Sequence, residues 1–412
     1  SIINNKYGEI MSGQNQNLYQ TLYEGGAYLD IEPYIAKRIL KPEKLYKELK
    51  KYVIGQDEAL KRISTAVCKH YNRVMNGKGY EKGEIKPNIL IIGPSGVGKT
   101  YTMKLIADIL NVPFYSTDIT KYTEAGYIGD KVEKIPIRAV LSARNTRKRS
   151  KYKRELVTNN VYLDMEDIKK GEMAIVFLDE IDKIAIQESY GKDISGYGVQ
   201  RGLLSLFEDF EIQLSNGMKI STKNMLFVCA GAFSGLENIV RRRTEKKSRI
   251  GFNVDEDIDV KEDNTNYLSR IEVEDLVSYG FLPEFLGRLP NLVIFNDLTE
   301  EDLYKILKNR NSGLLTSIKK DMEVYGIDIE FDKEAIRYIA KKAKDKRMGA
   351  RAIKGIVDNF MNIIGFYLPS TGVKKVRITK EAIDDPYRFV KKLKGKKVYI
   401  EMFSKKQQEI ID

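Results

Sequence analysis

The segment Ile89-Leu90-Ile91-Ile92-Gly93-Pro94-Ser95-Gly96-Val97-Gly98-Lys99-Thr100 constrains this chain more than any other. Its four consecutive aliphatics, bounded by Pro87 and Gly93, read as a strand buried on both faces. The next eight residues match GxxxxGK[ST], after which Met103, Ile106, Ile109 and Leu110 recur at helical spacing. A Gly-rich turn between strand and helix lets backbone N–H groups converge on phosphate oxygens, and the helix N-terminus adds the positive end of its dipole. The pattern therefore predicts ATP and Mg²⁺ as cofactors, cradled by Ser95, Gly96, Val97, Gly98, Lys99 and Thr100. Lys99 is expected at the β- and γ-phosphates and Thr100 at the metal.

About eighty residues after that lysine, Ile175-Val176-Phe177-Leu178 runs into Asp179-Glu180. An acidic pair ending a buried strand of the same sheet sits where open α/β sheets bind ligands. Asp179 is expected to hold Mg²⁺ through water and Glu180 to orient and polarise an attacking water. Asp182 reads as a helix cap. Apolar runs at 89–92, 113–116, 174–178, 225–229 and 292–295 alternate with helical stretches, the signature of a parallel five-stranded sheet covered by helices. Beyond Asn296 helical periodicity dominates, at 303–318, 333–344 and 350–367, with short strands at 327–331 and 376–379. The expected organisation is an irregular extension over 1–45, a large α/β domain over 46–296, a smaller mostly helical domain over 297–390 and a basic tail over 391–412. Residues 76–87 read as a flexible connector.

Other classes are disfavoured by composition. Two cysteines, Cys68 and Cys229, and one histidine, His70, are too few for a zinc finger, so no zinc is expected. The thiols read as buried in a reducing compartment, and His70, beside Val67 and Tyr71 on a predicted helix, as structural. No apolar run approaches the ~18 residues of a membrane span. The first residues form no signal peptide, and no initiator Met is present. A bacterial-type cytoplasm is expected, with an organelle matrix or stroma as the alternative if a transit peptide was removed. The net charge of +12 is spread along the chain. Its densest runs, at 144–154 and at Arg241-Arg242-Arg243, lack the aromatic interleaving of single-strand binders, so nucleic acid is not the expected partner.

Together these motifs resemble the ClpX-type AAA+ protein unfoldases, over roughly residues 42–390. The resemblance implies an ATPase that unfolds polypeptide in a homo-hexameric ring and delivers it to a ClpP-type peptidase ring, with unfolded or tagged proteins as substrates. It also assigns roles. Tyr52-Val53-Ile54-Gly55-Gln56 resembles the segment that packs on adenine, through Val53 and Ile54. Thr123-Glu124-Ala125-Gly126-Tyr127-Ile128-Gly129 resembles the first pore loop, where Tyr127 and Ile128 would grip the polypeptide. Pro283-Glu284-Phe285-Leu286-Gly287-Arg288 resembles the arginine-finger segment, and Gly349-Ala350-Arg351 the sensor-2 motif. Ile250-Gly251-Phe252 resembles the loop tip that docks on the peptidase. The family's N-terminal zinc-binding domain and its basic-His loop at the pore entrance have no counterpart in this sequence, and Tyr197 stands where the family usually has an acid. A remodeller without a peptidase partner, a helicase loader and an inactive nucleotide-binding scaffold are the competing readings.

Overall fold

Five strands build one parallel sheet: β1 (Ile89–Ile92), β2 (Phe114–Asp118), β3 (Ile175–Asp179), β4 (Leu226–Gly231) and β5 (Asn291–Ile294), in the order β2-β3-β4-β1-β5. A computed structural model describes residues 39–81, 83–123, 130–146, 165–186, 194–214, 217–249, 267–309 and 313–393. All five expected strands are present, with ends displaced by no more than two residues. They read so clearly because both faces are covered. Ile89, Ile91, Ile175 and Phe177 enter one core, while Leu90, Ile92, Val176 and Leu178 enter the other. Each buried aliphatic contributes about 1.5–3 kcal/mol, so a polar residue on either face of β1 would be costly.

The first core is closed by α1 (Pro42–Lys50), which straddles the expected boundary at 46, by α2 (Asp57–Met75) and by α3 (Lys99–Leu110). The second is closed by α4 (Ile194–Phe207), with Val199, Leu203 and Phe207 inward, and by the segment from Phe281 to Leu286. A hairpin not foreseen from sequence, Glu211–Gln213 with Lys219–Ser221, follows α4. Among the described residues, no helix is long and apolar enough to cross a membrane.

The first core continues without a break into the C-terminal unit, through Ile339, Ile353 and Val357. That unit is helical apart from two short parallel strands, Asp328–Phe331 and Lys375–Ile378. The single helix expected over 303–318 is two helices, Glu300–Lys308 and Leu314–Glu323. Asn309 leaves the helical conformation as a C-cap, and Gly313, at φ +81°, opens the next helix in a conformation that favours glycine. The apolar period runs across the break, which is why it reads as continuous.

The expected flexible connector at 76–87 is largely exposed where described but is anchored at Tyr80 and Lys86. Tyr80 and Lys86 are buried. Tyr80 stacks on His70 with ring centroids 5.4 Å apart, and its Oη lies 3.2 Å from His70 Nδ1. His70 Nε2 lies 2.9 Å from the Asn224 carbonyl oxygen, and Lys86 Nζ donates to the carbonyls of Thr222 (2.8 Å) and Met225 (3.2 Å). Burial drives the His70 imidazole down to about 3 and the Lys86 ammonium down to about 7. His70 is thus a structural group, and both thiols are free and buried.

Candidate active site

The turn after β1 is held in a conformation that only glycine adopts cheaply. Gly96 has φ +79° and Gly98 φ +97°, and Gly98 is the N-cap of α3. Lys99 is the first residue of that helix, so its backbone and those of its neighbours present N–H groups at a helix N-terminus. The small unit presses on this turn. A Cβ on Gly96 would lie 2.1 Å from the Met348 carbonyl oxygen, and one on Gly349 would lie 2.6 Å from the Gly96 carbonyl oxygen. Ala350 N–H donates to the Gly96 carbonyl at 2.9 Å, and Arg351 Nη1 donates to Ser95 Oγ at 2.9 Å. Ala350 and Arg351 open the helix Ala350–Tyr367 of the small unit.

Lys99 Nζ is nearly buried and donates to the carbonyls of Gly93 (2.5 Å) and Pro94 (2.6 Å). Burial pushes its ammonium below the usual lysine range, and the Asp179 carboxylate pulls in the opposite direction. Asp179 ends β3, on the same sheet edge as the P-loop. Ile92 pairs with Gly231 and Leu178 with Cys229, so the acidic pair lies two strands from β1, about 10 Å at ordinary strand spacing. The backbone of Glu180 is in the left-handed region, φ +58° and ψ +33°, and its N–H donates to Asp179 Oδ1 at 2.9 Å. Such a conformation costs a non-glycine residue about 1–3 kcal/mol and recurs at functional sites. It leaves the Glu180 side chain exposed beside the nucleotide-binding edge.

Asp182 is not a helix cap. Glu180 occupies that position in the short 3-10 turn Ile181–Ile184, and Asp182 is buried within the turn. Its carboxylate stands where a Cβ on Gly231 would lie (2.4 Å from Oδ1) and accepts from Phe233 N–H at 3.3 Å. A charged side chain therefore fills the place beside Cys229-Ala230-Gly231.

Val53 is buried in the core that also holds Val97 and Ile353, whereas Ile54 is half-buried. The segment around them is fixed by Gln56, whose side chain exchanges two hydrogen bonds with the Asn296 backbone (2.8 and 2.9 Å). This tie between the start and the end of the large unit was missed from sequence.

Arg288 lies elsewhere. It follows the helix Pro283–Gly287 and precedes β5, whose first residue, Asn291, pairs with Ile89 at the N-terminal end of β1. The P-loop leaves the C-terminal end of the same strand, so Arg288 is on the opposite sheet edge from Lys99 and Asp179. Its guanidinium pairs with Glu208, and its carbonyl accepts from Asn88 Nδ2 at 3.1 Å. Tyr127, Ile128, Ile250, Gly251 and Phe252 lie outside the described residues. Tyr197 is in α4, its ring 4.6 Å below the Arg201 guanidinium.

The left-handed glycines and the buried lysine fit a nucleoside triphosphate, whose Mg²⁺ the Thr100 hydroxyl and the Asp179 carboxylate would hold. A parallel sheet of this order, with the P-loop after β1, an acidic pair after β3 and a small helical unit against the P-loop, defines an AAA+ ATPase. Residues 85–292 match the family described as AAA domain (Cdc48 subfamily), and residues 298–362 match the C-terminal, D2-small domain, of ClpB protein. The ATP-dependent Clp protease ATP-binding subunit ClpX of Treponema denticola is 36% identical over 357 residues, spanning 83% of this chain and 81% of that protein. Proteins of the same name from Borrelia duttonii and Borrelia recurrentis are each 36% identical over 358 residues, spanning 83% of this chain and 78% of theirs. The chain belongs to the ClpX family of AAA+ ATPases.

Proposed function

We propose that six copies of this chain form a ring that couples ATP hydrolysis to unfolding polypeptide and passing it to a ClpP-type peptidase. The observation that carries the reading is the position of Arg288. One subunit holds Lys99, Asp179, Glu180 and Arg351 at one edge of its sheet, while its remaining candidate arginine, paired with Glu208, lies at the opposite edge, too far to serve the same site. A site completed only across an interface calls for a heterologous, closing assembly. The curated relatives carry the name of a Clp protease subunit, which supports the peptidase partner.

Within that ring, Ser95–Thr100 hold the phosphates, Val53 and Ile54 border the adenine, and Thr100 and Asp179 hold Mg²⁺. The bound metal supplies charge neutralisation at the phosphates. Glu180 orients the attacking water, Arg288 of one subunit stabilises the charge that develops in the next, and Arg351 reports nucleotide state to the small unit. The units over 46–296 and 297–390 change their mutual angle at the Gly96–Gly349 contact, and Tyr127 with Ile128 drags polypeptide inward. Ile250, Gly251 and Phe252 dock on the peptidase ring.

The test uses a tagged fluorescent protein, ATP and a ClpP ring. Loss of fluorescence with release of peptides is expected, both abolished by Tyr127→Ala. Deleting Ile250–Phe252 is expected to abolish peptide release alone. Fluorescence loss in the intact chain without peptides would reduce the reading to a remodeller without a peptidase. No fluorescence loss in any arm, or ATPase stimulation by polynucleotide rather than by unfolded protein, would overturn it.

A further inference from the structure

Gln200 sits on the inward face of α4 among Val199, Leu203 and Leu206, and its side chain is fully buried. Its Nε2 donates to the carbonyls of Ile184 (2.9 Å) and Gly280 (3.2 Å), and its Oε1 accepts from Leu282 N–H (2.9 Å). Ile184 ends the turn that follows Asp179 and Glu180. Leu282 is the N-cap of the helix Pro283–Gly287, and Arg288 is its C-cap. One amide therefore bonds both to the end of the turn that follows the acidic pair and to the start of the arginine segment.

Two further contacts lie on the same helix. Gly196, one turn before Gln200, lies against the acidic turn so closely that a Cβ there would be 2.7 Å from the Ile184 carbonyl oxygen. At the other end of α4, Phe207 packs on Phe285 with ring centroids 5.5 Å apart, and Glu208 pairs with Arg288 itself. The helix thus spans from the nucleotide edge of the sheet to the opposite edge, touching a catalytic candidate's neighbourhood at each end.

We propose that α4 is a strut coupling the two ATP sites to which one subunit contributes, with Gln200 as its inner tie and Glu208 as its outer tie. The inference rests on reading Arg288 as the finger that serves the neighbouring site. Both are positioning residues: Gln200 holds the acidic turn and the finger helix in one register, and Glu208 holds the guanidinium on that helix. A buried amide with donor and acceptor both engaged transmits a shift of one partner to the other, because leaving any of its hydrogen bonds unmade is unfavourable.

The test uses the full chain in its assembled form. Gln200→Met keeps the length of the side chain and removes the amide. Glu208→Gln alters a half-exposed side chain (51% exposed) and removes its charge from the pair with Arg288. Wild-type turnover is expected to be cooperative in ATP. Both variants should lose that cooperativity, with maximal rate lowered about five- to tenfold and affinity for a fluorescent ATP analogue unchanged. A merely structural role would lower the melting temperature and leave the Hill coefficient alone. If Gln200→Met does not fold, Glu208→Gln decides. Non-cooperative wild-type turnover, or variants with the wild-type Hill coefficient, would overturn the strut. Arg288→Ala is measured alongside. Full turnover in that variant would mean that the finger reading fails, whereas lost turnover with cooperative Gln200 and Glu208 variants would overturn the strut alone.

Discussion

Arg351 and Ser95 are joined by a 2.9 Å hydrogen bond across 256 positions of sequence. This bond, together with the backbone bond from Ala350 to Gly96, makes the P-loop part of the contact between the two units. On the proposed function, these two bonds are the route by which the helix Ala350–Tyr367 responds to what the P-loop holds.

Arg351→Ala should lower ATP turnover about tenfold or more, the size of an ordinary coupling energy, while leaving the fold intact, because the side chain is exposed. Turnover and analogue binding measured in parallel check this. An unchanged turnover rate would disconnect Arg351 from the site.

Two glycines separate strain from contact. Gly349 (φ +57°, ψ −145°) and Gly326 (φ +69°) both have positive φ, yet of the two only Gly349 faces a neighbour, the Gly96 carbonyl. Gly326→Ala should cost about 1–2 kcal/mol in stability, from backbone strain alone, and keep ATPase activity. Gly349→Ala should force the units apart and lose most of the activity. Melting curves and turnover measured on both variants distinguish the two effects.

Lys99→Ala should abolish nucleotide binding, whereas Glu180→Gln should bind ATP and fail to turn it over. Fluorescent-nucleotide titration with steady-state turnover checks both. Wild-type turnover in Glu180→Gln would remove Glu180 from the chemistry.

His70 gives a pH signature of the Tyr80 anchor. Its folded pKa, about 3, lies below the ordinary 6.5. Between those values the unfolded chain binds a proton that the folded chain does not, so stability falls as pH drops from about 6.5 toward 3. Lys86, also held low, acts only above about 7, and the windows do not overlap. His70→Gln should flatten the slope of urea midpoints on the acidic side. An unchanged slope would show that His70 is not buried as a neutral group.

The five strands were legible because a sheet covered on both faces leaves unbroken apolar runs such as Ile89–Ile92, and the P-loop and acidic pair announce themselves by residue type. Helix breaks were less legible: Asn309 and Gly313 interrupt a period that Leu303, Leu307 and Leu314 carry across the gap. Tyr80 and Lys86 were hidden in a polar, Gly-rich stretch whose packing depends on His70 and Asn224, far away in sequence. Gln56 with Asn296, Gln200 with Leu282 and Arg351 with Ser95 are contacts between distant segments. The only local trace of Gln200 was an amide on an apolar helix face, a pattern that marks a buried hydrogen-bonding group without naming its partners.

The claim that each ATP site is completed by a neighbouring subunit is tested most directly by mixing two inactive variants. Arg288→Ala subunits keep Glu180 but offer no finger, while Glu180→Gln subunits offer a finger but cannot hydrolyse. Each alone should be nearly inactive, and the mixture should recover turnover, because Arg288→Ala sites receive Arg288 from their neighbours. A mixture that stays as inactive as its components would contradict the shared site, and with it the ring.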